Sequence, residues 1–145
     1  MQEAALTEKE LERRLSVEFP EAFHPSSGIA ILKVWHGGCL VRQDFQATAL
    51  RPGGTISGPH MMALADIAMY IALLASIGWV PLAVTANLNI NFLKKPQPGA
   101  LDAECRLLKL GRSLAVGDVS IRSGAGQDLV AHATSTYSIP PRSRG

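Results

Sequence analysis

The sequence predicts an α+β domain in which an antiparallel sheet curls around one long apolar helix. Three observations lead there. Residues 59 to 77 carry Met, Ala, Leu and Ile on every side apart from His60, Asp66, Tyr70 and Ser76, so this helix must be wrapped by the rest of the fold. Beyond Pro81 the apolar period changes from about 3.6 residues to two, the mark of strands. The chain has 145 residues, 47% hydrophobic and 18% charged, which suits one domain with one core and is too apolar for disorder.

The elements follow in order. Thr7 is a good N-cap with Glu10 three residues on, and Leu11, Leu15 and Phe19 recur at helical spacing, so residues 7 to 19 predict a short amphipathic helix ended by Pro20. Residues 1 to 27 form a helical lead-in to a domain spanning 28 to 139. Ile29 to Trp35 predicts a strand, His36-Gly37-Gly38 a turn, and Cys39 to Leu50 a second strand with Leu40, Arg42, Asp44, Gln46 and Thr48 on one mostly polar face. A turn-rich loop, Arg51 to Gly58, then leads to Pro59, well suited to the first helical turn because its missing N–H needs no partner there. After the helix, Val84, Ala86, Leu88, Ile90 and Phe92 alternate with Thr85, Asn87, Asn89 and Asn91, predicting a strand with one buried face. Leu101 to Leu107, Leu114 to Arg122 and Leu129 to Ile139 complete four strands after the helix, and residues 140 to 145 read as a frayed tail.

Composition narrows the function. A net charge of +2, from 14 basic and 12 acidic residues spread along the chain, offers no footprint for nucleic acid. The uncharged run from Ile67 to Val84 has the length of a membrane span, but Gly78 and Pro81 interrupt it and Asp66 borders it, so a helix buried in protein is expected and no membrane partner. Cys39 and Cys105 lie far apart in sequence without CxxC spacing, and MQEAALTEKELERR is too acidic and polar for a signal peptide, which points to the cytoplasm and free thiols. His24, His36 and His132 lack ligand spacing, so no metal is expected.

Asp66 is the outstanding candidate, because a carboxylate within Leu64-Ala65-Asp66-Ile67-Ala68 is costly to bury unless it is paired or opens on a cleft. It suits a general base or nucleophile; an ordinary helix Asp reaching solvent or a lysine is the alternative. Ser57-Gly58-Pro59 places a glycine and N–H groups at the positive end of the helix dipole, suited to an anion or oxyanion, or simply to capping. Eight residues separate Gly58 from Asp66, about 12 Å along a helix, whereas groups acting on one carbonyl must converge within about 3 Å. Joint action therefore requires a two-fold dimer with antiparallel helices.

The stretches Gly53 to Ala75, Val84 to Leu93, Gly99 to Cys105, Gly111 to Val116 and Leu129 to Thr134 resemble, in order and spacing, the hotdog-fold acyl-CoA thioesterases of the phenylacetic-acid (PaaI-like) type. The resemblance implies strands wrapped round a central helix, a homodimer or dimer of dimers, and hydrolysis of an acyl-CoA without a separate cofactor. It puts the family's carboxylate on Asp66, its oxyanion glycine on Gly58, and on Thr85 a water-placing hydroxyl where a β-branched strand residue would otherwise suffice. The usual His-Gly-Gly at the helix start reads Ser57-Gly58-Pro59, and Arg51 stands where an Asn or Gln is common, able to pair with Asp66 or meet an anionic acyl group.

His60 on the first helical turn is a pocket or structural residue; Lys94, Lys95 and Arg112, at strand ends, are candidate partners for CoA phosphates or else solvated surface charges. Met61, Met62, Met69 and Tyr70 suit core or dimer packing better than an acyl pocket, which is the alternative. A noncatalytic acyl-CoA-binding hotdog protein is the competing reading. A hydratase is a weaker third, since no Asp-His pair of that kind stands out.

Overall fold

A computed structural model describes residues 2–141, so the tail beyond Pro141 lies outside the described residues. Helix α1 (Glu8–Glu18) begins at the expected capping box, and a short α2 (Pro20–Phe23) follows. Strands β1 (Ile29–Trp35) and β2 (Gly38–Gln43) form a hairpin, then a 3-10 turn (Ala47–Ala49) leads to the long α3 (Gly58–Ile77). Strands β3 (Val84–Phe92), β4 (Leu101–Leu110), β5 (Leu114–Ser123) and β6 (Asp128–Ser138) complete one antiparallel sheet in the order β1-β2-β4-β5-β6-β3. The α+β hotdog arrangement expected from the sequence is the one observed, and α3 touches every strand.

Close approach of α3 depends on small inward side chains. Ala103, Ala115, Ala131 and Ala133 are buried beneath the helix together with Val119 and Ile121. At Gly117 a Cβ would lie 2.8 Å from Met69 Sδ and 3.0 Å from the Arg106 carbonyl oxygen, so glycine is what lets helix and sheet meet there. Cys39 and Cys105 face each other across the β2–β4 register as free, buried thiols. Burial raises both thiol pKa values, that of Cys105 to about 12, and makes them core residues rather than nucleophiles.

Helix α1 does more than lead in. Leu11 and Leu15 are fully buried, and from the same side Glu12 accepts the Ile31 N–H at 3.2 Å and Glu8 accepts the Val34 N–H at 2.9 Å. Two carboxylates thereby occupy donors on the outer edge of β1, blunting an edge that would otherwise invite another strand.

Three expectations are corrected. The second strand ends at Gln43 rather than Leu50, because Gln43 pairs with Ile29 and Leu101, the first residues of β1 and β4, and no strand continues beside it. The predicted buried face of β3 is covered only in part in the single chain: Leu88 and Ile90 are half-buried against the core, whereas Val84 is 58% and Phe92 48% exposed, since β3 is an edge strand bonded only to β6. Its alternation also breaks at a bulge between Thr85 and Asn87, so Thr85 pairs with Tyr137 while Asn87 pairs with Thr136. The helix is buried on all sides only from Ala68 to Ser76; nearer its start Met62 and Ala63 are exposed, and it begins at Gly58 with Pro59 second. Although α3 is long and apolar enough to cross a bilayer, 67% of its most apolar 18-residue window is buried inside the protein.

Gly117→Val is expected to lower the chemical-denaturation midpoint by the equivalent of about 1–3 kcal/mol, because the added atoms meet backbone as well as Met69. An unchanged midpoint would remove glycine's role in the helix–sheet contact.

Candidate active site

The loop before α3 is clamped at both ends. Leu50 bridges to Ile56, Arg51 N–H donates to the Thr55 carbonyl at 2.9 Å, Ser57 N–H to the Ala49 carbonyl at 2.8 Å and Ile56 N–H to the Pro96 carbonyl at 3.0 Å. This delivers Ser57 as N-cap, its hydroxyl accepting the His60 N–H at 3.4 Å. Met61 N–H goes to the Ser57 carbonyl at 3.3 Å, and Pro59 has no N–H. Among the described residues, Gly58 is left as the one free N–H donor of the first turn. A Cβ on Gly58 would come within 3.1 Å of the Phe92 ring, so the glycine also admits the end of β3.

Two turns further on, half-buried Asp66 faces the start of β3. Its Oδ1 accepts Thr85 Oγ1–H at 2.5 Å and Tyr137 Oη–H at 3.1 Å, and Tyr137 Oη also lies 3.3 Å from the Asp66 carbonyl oxygen. The bulge in β3 is what turns Thr85 to this side: in regular alternation it would share the outward face of Asn87, Asn89 and Asn91. Burial above all pushes the Tyr137 phenol well above its usual range; the Thr85 hydroxyl opposes it, and the neighbouring Asp66 charge adds to the rise. It therefore remains a donor at neutral pH. The Tyr137 ring stacks on Tyr70 at 6.0 Å, Tyr70 Oη donates to the Pro81 carbonyl at 2.8 Å, and Phe19 meets Tyr70 edge-on at 6.2 Å.

These groups line an open, mostly apolar cleft of about 790 Å³ between α3, β3, Tyr137 and the α1–α2 junction, with Asp66 and Thr85 at its wall. Within one chain the cleft contains neither Gly58, Ser57, Pro59, His60 and Arg51 nor Lys94 and Arg112. Gly58 lies about 12 Å of helix away from Asp66. Lys94 pairs on the surface with Asp128 at 2.8 Å, and exposed Arg112 sits by Ile77 at the other end of α3. Arg51 is exposed in the loop and does not meet Asp66, whose carboxylate bonds Thr85 and Tyr137 instead. Half-buried His60 has a pKa lowered by burial, which favours the neutral imidazole. Of the methionines, Met61 and Met69 are core and Met62 is exposed, while Tyr70 forms part of the cleft wall.

Sequence reasoning missed Tyr137. The signal was the inward series Ala131, Ala133, Ser135, Tyr137, in which a lone large side chain carries a polar tip that must find a partner when buried. It also missed the pairing of His132 Nε2 with Asp118 Oδ2 at 3.0 Å, an Asp-His pair on the outward face of the sheet. That pair stands away from the cleft.

Comparison with known proteins identifies the family and the fold. The model of the thioesterase superfamily matches residues 53–130. A Saccharolobus solfataricus protein named "Putative esterase" is 31% identical over 112 residues, which are 77% of this chain and 73% of that one. The crystal structure of a "putative thioesterase" from Silicibacter sp. has a TM-score of 0.85 and 42% identity, covering 97% of this chain and 96% of the other. A mutant of the phenylacetic acid degradation protein PaaI from Thermus thermophilus has a TM-score of 0.71 and 25% identity, covering 81% and 98%. The chain thus belongs to the thioesterase superfamily, as a PaaI-like protein of the hotdog fold.

Proposed function

We propose that the protein hydrolyses the thioester of an acyl-CoA in the cytoplasm, as a two-fold dimer in which Asp66 of one protomer and the Gly58 N–H of the other act on the same carbonyl. The observation that carries this reading is a carboxylate set in an apolar cleft with one oxygen bonded twice and the other unbonded among the described residues. That free oxygen acts on the carbonyl carbon, either directly or by taking a proton from an attacking water. The Gly58 N–H stabilises the charge that develops on the carbonyl oxygen. Breaking the C–S bond then releases CoA as its thiol and the acyl group as free acid, with water supplying the atoms and no cofactor needed.

The dimer is supported by what the single chain leaves open. Ala63, exposed on α3 next to exposed Met62, shares the cleft with Val84 and Thr85 of the β3 edge. If β3 pairs antiparallel with its own copy about Leu88, Thr85 comes opposite Asn91 and Val84 opposite Phe92. Because Phe92 packs on Gly58 and Thr85 bonds Asp66, this register carries the donor of one chain toward the carboxylate of the other. Arg51, at the Gly58 end and outside the ion pair that engages Lys94, is a cation placed to meet an anionic part of the substrate.

Against a panel of acyl-CoAs, wild-type protein is expected to release CoA, and Asp66→Asn to lose at least about a hundredfold in kcat. Full activity in Asp66→Asn would overturn the mechanism, and acyl-CoA binding without turnover by the wild type would leave a binding protein instead. Asp66→Asn and Gly58→Pro dimers are each expected to be inactive. Unfolded and refolded together, they should regain about a quarter of wild-type activity, since half of randomly formed dimers are mixed and each carries one intact site of two. No recovery in mixed dimers isolated by two affinity tags would overturn the site shared between protomers. Phe19→Ala, which enlarges the apolar end of the cleft, is expected to raise relative kcat/KM for bulkier acyl groups by about tenfold; an unchanged acyl preference would move the acyl group elsewhere.

A further inference from the structure

We propose that Tyr137 is a positioning residue which, together with Thr85, clamps Oδ1 of Asp66 and so makes Oδ2 the oxygen that acts on the substrate. The inference rests on the reading of Asp66 as the working carboxylate and adds which of its atoms works and what holds it.

A carboxylate on a helix rotates broadly about its last torsion, so its two oxygens exchange places unless something distinguishes them. Here both side-chain donors fall on the same oxygen, Thr85 Oγ1 at 2.5 Å and Tyr137 Oη at 3.1 Å. They arrive from adjacent strands, β3 and β6, whose register sets Thr85 opposite Tyr137. Only the bulge at Ala86 makes that pairing put Thr85 on the helix side of the sheet. Thr85 is exposed at the sheet edge and is placed by the strand register alone, whereas the Tyr137 hydroxyl is fixed by packing. Tyr137 is 4% exposed, its ring stacks on Tyr70, and the Tyr70 hydroxyl is in turn tied to the Pro81 carbonyl. The phenol also spans to the Asp66 backbone carbonyl at 3.3 Å, which refers the side chain to its own helix turn. With Oδ1 held against the wall, Oδ2 is the oxygen left for the cleft.

The same contact bears on the water-placing part that the resemblance implies for Thr85. A hydroxyl has one proton, and Thr85 gives it to Asp66, so toward a water it can only accept. It orients the carboxylate first, and a water only through its lone pairs.

Two donors on one oxygen make a specific kinetic signature. Tyr137→Phe keeps the ring and its stack while removing the hydroxyl, and Thr85→Val keeps the β-branched shape. Each alone leaves one donor and is expected to lower kcat by about tenfold with KM within about twofold, whereas the double variant frees the carboxylate and should lower kcat by more than about a thousandfold, beyond the product of the single losses. A purely structural tyrosine would give the same factor in both backgrounds. Steady-state hydrolysis of the best acyl-CoA of the panel, with Asp66→Asn alongside, reads all of this. If Asp66→Asn is silent and Tyr137→Phe retains wild-type kcat in both backgrounds, the clamp is overturned and the reading of Asp66 stands. Losses that merely multiply, or a rise in KM with kcat unchanged, also overturn the clamp. If Asp66→Asn is fully active, the underlying reading falls with it. Should the double variant fail to fold, the single Tyr137→Phe carries the test, since a fall in kcat at constant KM supports the clamp and any other division of the effect refutes it.

Discussion

An apolar helix of 20 residues has to be covered, and the rest of the molecule follows from how far one sheet can do it. Strands that curl around α3 must bring backbone close to backbone, which is why their inner faces are alanine-rich and why Gly117 sits under Met69. Larger residues would push the sheet off the helix; smaller ones all along would leave voids. The cover closes fully over the second half of α3, from Ala68 to Ser76. It opens toward the first half, where β3 forms the edge of the sheet, and that opening is where Asp66 finds its cleft.

A carboxylate survives on such a helix because it is placed at the boundary of the cover. Deeper along α3 it would meet only apolar side chains, and nearer the start it would stand in water with nothing to orient it. At position 66 it meets two hydroxyls held by the last covering strands while one oxygen stays open. Stability and chemistry therefore draw on the same edge. The hydrogen bonds that make Asp66 tolerable in a largely apolar setting are also those that give its two oxygens different surroundings.

Much of this was legible in sequence because it rests on local periodicity. The capping box at Thr7, the helix after Ser57 and the strands beyond Pro81 were read from spacing alone, and Asp66 stood out by being charged in the wrong company. What escaped was set by neighbours. Where β2 stops depends on where β1 and β4 begin, and nothing in Asp44 to Leu50 states that. The bulge at Ala86 reverses the side taken by Thr85, yet the sequence around it alternates without a break. Tyr137 reaches Asp66 across a separation of 71 residues, a contact that only sheet order creates.

The helix start carries the same logic in its departure from the family pattern. With Ser57-Gly58-Pro59 in place of His-Gly-Gly, the serine hydroxyl takes the His60 N–H and proline contributes none. A first turn that would otherwise present several donors is reduced to the one at Gly58, among the described residues. The positive end of the helix dipole is then expressed outward through a single N–H, beside the ring of Phe92. With serine at that position the helix tip keeps the Gly58 backbone donor, the group proposed above to meet the oxyanion. A donor that belongs to the backbone is one that no side-chain replacement short of proline can delete.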